Sequence, residues 1–314
     1  MRLAPVDRAQ VHGCFQAAFA DYGVNMSYMT EENLLLRAAK NAVDWDLSVG
    51  SFDESGHMVG FTLIGVDDWG GERSAFDAAT GIVPDHRGAG LARAMLDHAL
   101  PALRERGVIR FVLEVIQGND RAIRAYRKAG FEVARELACF DLHVDPRAAA
   151  TRVDAPFEVR DADRSILDEL EGEAEWLPSW ENSFAAIRRV PDELIVLGAY
   201  DGGEPVGAVV FTPALGWIMS IVTARTHRRL GVATELLRRL AERVGPRLGG
   251  SPLRLVNVDR SDTGMIALAE RCGFTHRLDQ LEMMRSIQRF SPLDGSTLMD
   301  QPSGSPRDSG CHGS

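Results

Sequence analysis

Arginine, glycine and small residues are concentrated at positions 87–92, where a helix is predicted to begin. Glycine has no Cβ, so a ligand can approach the backbone closely at Gly88 and Gly90. The first amides of a helix lack partners within the helix and carry a partial positive charge. These residue types in this order predict an anion site, most often a site for phosphate.

A single carboxylate, Glu114, lies in the otherwise apolar segment 111–116. Burial of a carboxylate without a partner is costly and raises its pKa towards neutrality. A carboxylate of this kind is suited to proton abstraction, so Glu114 is a candidate general base. Two structural interpretations stay open, namely an ion pair with an arginine and a side chain that points out of the core.

Three classes of phosphate ligand use a glycine-rich turn at a helix start. A nucleoside-triphosphate loop needs Lys and Ser/Thr directly after its glycine, whereas Leu91 and Ala92 follow Gly90 here. A dinucleotide fingerprint needs glycine or alanine where Arg93 stands, and a parallel unit where hairpins are predicted. The pyrophosphate of coenzyme A remains, with a tight strand–helix turn that binds no ligand as the structural alternative.

Apolar residues repeat with the periods of strands and helices that could hold these residues in place. The first half of the chain is predicted to contain helices over 7–20, 30–39, 91–106 and 120–128, and strands over 45–52, 58–66, 74–83, 110–116 and 136–144.

The motifs occur twice in the same order. Segment 223–240 repeats the pattern around residues 87–92, and 262–274 resembles 119–131. The period is too long for a solenoid, so it predicts a duplicated domain. We expect domains over 1–143 and 156–286, called here the first and second copy. A linker over 144–155 and a disordered Ser/Gly/Pro-rich tail over 287–314 complete the prediction.

Composition excludes several classes of function. The 314 residues carry a net charge of −10, so a nucleic-acid partner is not expected. The cysteines are scattered and form no CxxC pair, which predicts neither a metal site nor a disulfide framework. The sequence contains no recognisable signal peptide or membrane-spanning run, so we expect a cytoplasmic protein with no membrane partner.

The glycine-rich loop, Asn119 at the end of a later strand, Ala122, Tyr126 and Gly130-Phe131 together resemble the GNAT N-acetyltransferases. The resemblance covers most of 1–143 and, more weakly, 156–286. It implies an α/β fold of two tandem domains. Each domain would have a mixed, mostly antiparallel sheet that is flanked by helices and splayed between two central strands, with acetyl-CoA in the gap.

The resemblance also implies roles for single residues. The loop amides would hold the pyrophosphate, the preceding strand would pair with the pantetheine arm, and a backbone N–H near Val83 would polarise the thioester carbonyl. The implied acetyl-CoA-binding residues are Ile82, Val83, Arg87, Gly88, Ala89, Gly90, Leu91, Ala92 and Asn119. Tyr126 would protonate the leaving thiolate, unless it is a core tyrosine. Residues 113–115 are also similar to the ribosomal-protein N-acetyltransferases, in which a glutamate at the position of Glu114 is proposed as the base.

The second copy departs from this pattern at four positions. Arg229, Asn257, Asp262 and Ala269 replace Gly88, Glu114, Asn119 and Tyr126. Alanine cannot donate a proton and asparagine is not an ordinary general base. We therefore expect turnover in 1–143, while 156–286 supports it by packing and by shaping the acceptor cleft.

The predicted function is acetyl-CoA-dependent N-acetyl transfer, without a metal, to a primary amine of a small molecule or peptide. A non-catalytic acyl-CoA-binding or sensing module is the alternative. The protein would be a monomer with an internal pseudo-dimer, or a homodimer. Segments 67–73 and 171–180, both acidic and aromatic, could border the acceptor site. Alternatively, the first is an ordinary hairpin turn and the second covers the sheet.

Overall fold

The computed structural model describes residues 1–21, 23, 26–144, 157–190 and 194–287. Apart from Val144 and Ile287, the predicted linker and tail lie outside the described residues. The first copy forms α1 (Arg8–Ala18), α2 (Glu31–Lys40), β1 (Val49–Phe52), β2 (Met58–Trp69), β3 (Glu72–Ile82), α3 (Leu91–Glu105), β4 (Arg110–Ile116), α4 (Asp120–Lys128) and β5 (Glu132–Leu142). The second copy forms β6 (Glu158–Asp161), α5 (Ile166–Leu170), α6 (Phe184–Arg189), β7 (Ile195–Asp201), β8 (Glu204–Thr212), β9 (Trp217–Thr223), α7 (Val232–Val244), β10 (Leu253–Asp259), α8 (Thr263–Arg271) and β11 (Thr275–Ser286).

The strands of the described residues form one sheet in the order β1-β2-β3-β4-β11-β5-β10-β9-β8-β7-β6. The β3–β4 and β9–β10 pairs are parallel, and the other neighbours are antiparallel. The predicted α/β fold class, with a mixed and mostly antiparallel sheet flanked by helices, is therefore confirmed.

The last strand of each copy lies beside strands of the other copy. β11 pairs with β4 of the first copy, and β5 pairs with β10 of the second. β5 and β11 also pair with each other at the centre of the sheet. Each copy therefore completes the sheet of the other.

The central strands β3 and β4 separate after a short parallel ladder. Their pairing ends at Asp77 and Leu113, so the next residues of β3 have no partner on the β4 side. A β-bulge in the β2–β3 ladder leaves Ala78 as an extra residue, which bends the strand. The result is the predicted V-shaped gap.

Alternation along β4 assigns its side chains to the two faces of the sheet. Phe111, Leu113 and Val115 pack in the core formed with α3 and α4, whereas Val112 packs in the core formed with α1. Glu114 consequently lies on the α1 face.

Each of the two acidic and aromatic segments buries one tryptophan at the junction of the copies, while most of its other residues are exposed or half-buried. Trp180 is 2% exposed and stacks on Phe76 with ring centroids 5.2 Å apart. Trp69 is also buried, and its Nε1 donates to the Pro178 carbonyl at 3.0 Å. These tryptophans therefore cover the sheet.

Candidate active site

The glycine-rich loop presents bare backbone at the start of α3. Gly88 and Gly90 have φ values of +89° and +78°, a conformation that favours glycine. A Cβ on Gly90 would meet no atom within 4 Å, so the space beside it is open. The amide of Ala94 bonds the Gly90 carbonyl, which leaves the amides of the first helical turn without helical acceptors. The loop can therefore bind an anion through its main chain.

Arg87 holds this loop against the end of α1. Its guanidinium donates to both carboxylate oxygens of Asp21, at 2.6 and 2.7 Å, and to the Ala18 carbonyl at 2.8 Å. Its Nε donates to the carbonyl of Ile82. The side chain is occupied by protein partners, so a ligand would meet the backbone of Arg87.

An open cleft of about 1340 Å³ runs from the loop into the gap between β3 and β4. Its lining includes these predicted acetyl-CoA-binding residues: Ile82, Arg87, Gly88, Gly90, Leu91, Ala92 and Asn119. Val83 and Ala89 are not part of the lining. Glu114 and Tyr126 line the same cleft, so the structure brings the predicted chemical groups together.

The predicted carbonyl-polarising N–H is not available at Val83. This amide donates to the Val59 carbonyl at 3.0 Å, so a carbonyl-polarising donor near Val83 would have to come from a neighbouring residue. The open edge of β3 beyond Asp77, where Ala78 lines the cleft, is the better place for such a donor.

Basic side chains surround the cleft beside the loop, although the whole chain is acidic. They are His86, Arg93, Arg121, Arg124 and Lys128. The Nη2 atom of Arg121 lies 4.0 Å from the Cβ position of Gly88. This end of the cleft suits a ligand with several phosphate groups.

Tyr126 is hydrogen-bonded to a buried carboxyl that the motif analysis missed. The Tyr126 hydroxyl donates to Oδ2 of Asp77 at 3.2 Å, and Oγ1 of Thr80 lies within 2.9 Å of both carboxyl oxygens. Burial raises the pKa of Asp77 to about 6, against these two hydrogen bonds. The available signal was its position as the lone charged residue in 74–83.

Glu114 contacts the second copy. Its Oε2 accepts a hydrogen bond from Asn257 Nδ2 at 2.5 Å, whereas Oε1 is buried without a partner among the described residues. Burial and the negative charges of Glu181 and Glu282 raise the pKa of Glu114 to about 8. The described residues include no arginine paired with Glu114, which disfavours the ion-pair interpretation.

A buried charge cluster adjoins Glu114 and was not predicted. Glu181 of the second copy accepts from Arg37 Nε at 2.9 Å and from Asn41 Nδ2 at 3.1 Å, and Lys40 Nζ donates to its carbonyl. Burial acts to raise the pKa of Glu181, but the two cations bring it to about 2. Burial lowers the pKa of Lys40, which is fully buried. In the sequence, Arg37 and Lys40 resemble an ordinary basic helix end.

The candidate acid and base lie on opposite faces of the sheet. Tyr126 belongs to α4 and meets Asp77 on the α3–α4 face, whereas Glu114 lies on the α1 face. The gap between β3 and β4 is an opening through the sheet that connects these two faces. A thioester in this gap could receive an amine from one face and release a thiolate on the other.

The cleft has walls from both copies beyond Glu114. The second copy contributes Glu181, Trp217, Val256, Arg277, Leu278 and Gln280 to its lining. An acceptor molecule in this part of the cleft would contact both copies.

The second copy keeps the loop geometry without the chemical groups. Gly231 has a φ of +91° and caps α7, as Gly90 caps α3. Arg229 takes a φ of +65° at the position of Gly88, so a bulky residue adopts a strained conformation there. Ala269 is buried at the position of Tyr126.

The part of the chain that the structure describes contains no cluster of three His, Cys, Asp or Glu side chains able to hold a metal ion. Within the same residues, no helix combines the length and the apolar character needed to cross a membrane.

The model of the acetyltransferase (GNAT) family matches the chain twice, over residues 15–131 and 159–274. The two matches coincide with the two copies of the repeat. Together they include both glycine-rich loops, the strands β3 and β4 that flank the gap, and Tyr126.

Curated relatives are similar over shorter segments. The mycothiol acetyltransferase of Propionibacterium freudenreichii is 35% identical over 105 residues, which cover 33% of this chain and 34% of that protein. The streptothricin acetyltransferase of Streptomyces lavendulae is 37% identical over 24% of this chain and 39% of its own. The ribosomal protein bS18-alanine N-acetyltransferase of Escherichia coli is 40% identical over 63 residues, which cover 20% of this chain and 41% of that protein. The matches thus span about a third to two fifths of these relatives.

Solved structures share the fold over nearly the whole chain. A tandem GNAT protein from the clavulanic acid biosynthesis pathway has a TM-score of 0.69 at 16% identity, covering 90% of this chain and 96% of its own. A GCN5-related N-acetyltransferase from Sphaerobacter thermophilus has a TM-score of 0.67 at 18% identity, covering 91% and 94%.

Proposed function

Because this chain belongs to the GNAT acetyltransferase family, we propose that it transfers an acetyl group from acetyl-CoA to a primary amine of a small molecule or peptide. The observation that carries the proposal is the position of Tyr126 and Glu114 on opposite sides of one gap, with the glycine-rich loop at the end of the same cleft. Reaction at this site would take place in residues 1–143.

Acetyl-CoA fits the chemistry of the cleft. The main chain of residues 87–92 would bind the pyrophosphate, and the open edge of β3 up to Ile82 would pair with the pantetheine arm. Arg121 and Lys128 would neutralise the remaining phosphate charge. Asn119 already caps α4 through Oδ1, so its contribution to binding includes holding that helix in place.

Each proton transfer has a candidate group. Glu114 takes one proton from the acceptor ammonium, and the free amine forms a C–N bond with the thioester carbon. The C–S bond then breaks, and the new amide nitrogen releases its second proton to water. Tyr126 gives its proton to the departing thiolate. A backbone N–H of β3 near Ala78 stabilises the charge that develops on the carbonyl oxygen. Both side chains return to their starting states by exchange with water.

The acceptor would lie between the copies. Glu181 and Trp217 of the second copy border the cleft beyond Glu114. The relatives' names mention mycothiol, streptothricin and the alanine of a ribosomal protein, so both small molecules and peptides belong in a substrate panel. The second copy would act as a wall of this site, because Ala269 and Asn257 replace the acid and the base.

A panel assay tests the function. The purified full chain is incubated with acetyl-CoA and aminoglycosides, polyamines, amino-acid derivatives or peptides, while free thiol and acetylated product are measured. Amine-dependent release of coenzyme A is expected. A rise in melting temperature with acetyl-CoA but no product from any amine would instead favour the acyl-CoA-binding module.

Replacement of Tyr126 by phenylalanine should lower kcat by about 100-fold, the scale of general acid catalysis. The KM for acetyl-CoA should change little, because the ring keeps its edge-on contact with Phe131. Steady-state kinetics with the best amine of the panel measure both constants. A kcat equal to that of the wild type would return Tyr126 to a purely structural role.

A further inference from the structure

Asn257 of the second copy has a left-handed backbone conformation near the centre of the sheet. Its φ is +59°, and it lies where the β10–β5 ladder shifts register between Leu255 and Val258. The side chain is 5% exposed, and its Nδ2 donates to Oε2 of Glu114. Asparagine is among the few non-glycine residues that adopt this left-handed conformation, which here directs its side chain towards Glu114.

Contacts to the Oδ1 atom of Asn257 set the orientation of its side-chain amide. Gln280 of β11 donates through Nε2 to Oδ1 of Asn257 at 2.6 Å, and Cys139 Sγ lies 3.7 Å from the same oxygen. With Oδ1 occupied as an acceptor, Nδ2 is the group that faces the carboxyl. A side chain from outside the sheet contacts the irregular part of β10, where Asn182 Nδ2 donates to the carbonyl of Val256.

Charged groups face Glu114 from each neighbouring element. Arg37 and Lys40 lie on α2, Glu181 on the turn after Trp180, and Glu282 on β11. Arg135 of β5 is paired with Glu282 and with Asp259 of β10. Arg37, Lys40 and Arg135 therefore balance Glu181, Glu282 and Asp259, and this balance leaves no cation for an ionised Glu114. A neutral N–H donor is the contact that stabilises the ionised form of Glu114 without adding charge.

We propose that Asn257 is a positioning residue which holds Oε2 of Glu114 through its Nδ2 and leaves the orphaned Oε1 to take the proton of the acceptor amine. This role rests on the proposed function of Glu114 as the base. The second copy would then contribute directly to the active site through Asn257, which occupies the position that Glu114 has in the first copy.

Two variants test the role while preserving the backbone. Asn257→Asp keeps the shape and tolerates a positive φ, and Asn257→Gly is free of strain there. The aspartate should raise the pH of the acidic limb of the kcat profile by about one unit or more, since a second carboxylate would share the site. Asn257→Gly should raise the pH of the acidic limb by a smaller amount, because water can replace the lost N–H donor. An acidic limb at the wild-type pH in both variants overturns the proposal.

The Glu114→Gln background separates positioning from general structural damage. If Asn257 acts through Glu114, Asn257→Asp should cause no further change in kcat once the Glu114→Gln substitution is present. An equal loss of activity in both backgrounds would assign Asn257 a structural role and overturn the proposal.

A stability measurement keeps the inference testable without turnover. The melting temperature of each protein is compared with that of its Glu114→Gln counterpart as a function of pH. The loss of stability that accompanies ionisation of Glu114 should extend to higher pH in Asn257→Asp than with Asn257 present, because only the folded-state pKa differs. The same pH in both would contradict the contact, whereas failure of the amine panel alone would count only against the proposed function.

Discussion

A Gly90→Glu variant is expected to lose most of its affinity for acetyl-CoA, and with it acetyl transfer at acetyl-CoA concentrations that saturate the wild type. The substitution places a carboxylate in the open space beside the loop, where the pyrophosphate would lie. Two like charges 4 Å apart near a protein surface repel by about 4 kcal/mol. Each 1.4 kcal/mol is a factor of ten, so affinity should fall by about 100-fold to 1,000-fold. Isothermal titration calorimetry measures the change.

The matched control is Gly90→Ala. A Cβ at this position meets no atom, but the φ of +78° disfavours any residue other than glycine. The alanine should therefore cost stability while leaving most of the affinity. Unchanged affinity in Gly90→Glu would show that the loop does not hold the cofactor.

A Glu114→Gln variant should lower kcat by about 100-fold or more, since a general base contributes on this scale. Burial raises the pKa of Glu114 to about 8, and the base must be ionised to act. The wild-type rate should thus increase with pH through this region, whereas the rate of the variant should lack that limb. An acidic limb that survives the substitution would assign the proton to another group, with Asp77 as the next candidate.

The same substitution has a consequence for stability. The pKa of Glu114 is higher in the folded than in the unfolded chain, so folding is favoured most when the carboxyl is protonated. That contribution is lost as pH rises from about 4.5 in the unfolded chain to about 8 in the folded one. Relative to the Glu114→Gln variant, the wild type should therefore lose melting temperature over this interval. A constant difference would mean that Glu114 is not buried as described.

Local sequence signals predicted most helices and strands well. The predicted helix over 120–128 has the bounds of α4, and Thr30 caps α2 as its position indicated. Both features depend on residues that are close together in the sequence, such as a capping residue followed by an amphipathic segment. The glycine-rich loop was recognisable for the same reason.

The exchange of β5 and β11 could not be read from local patterns. Both strands are mixed in polarity and would show the same alternation whether they paired within their own copy or across copies. The choice depends on contacts between residues far apart in sequence, such as Glu282 opposite Glu114. The alternation within a strand assigns its two faces but does not identify the strand that lies beside it.

The missed site residues share this origin. Asp77 was visible as a lone charge in an apolar strand, but its link to Tyr126 required the fold. Glu181 and Asn257 gain their meaning only because the second copy packs against the first. In the sequence, Asn257 looked like the loss of a catalytic glutamate in the second copy. The structure places its side chain against Glu114, the residue at the same position in the first copy.

Which copy binds the cofactor is decided by titration of acetyl-CoA into the wild type, Gly90→Glu and Gly231→Glu. At concentrations that saturate the wild type, we expect one acetyl-CoA per chain in the wild type and in Gly231→Glu, and no detectable binding in Gly90→Glu. Melting curves should show that all three proteins are folded. Loss of binding in Gly231→Glu together with retention in Gly90→Glu would place the cofactor in the second copy and contradict the proposed site.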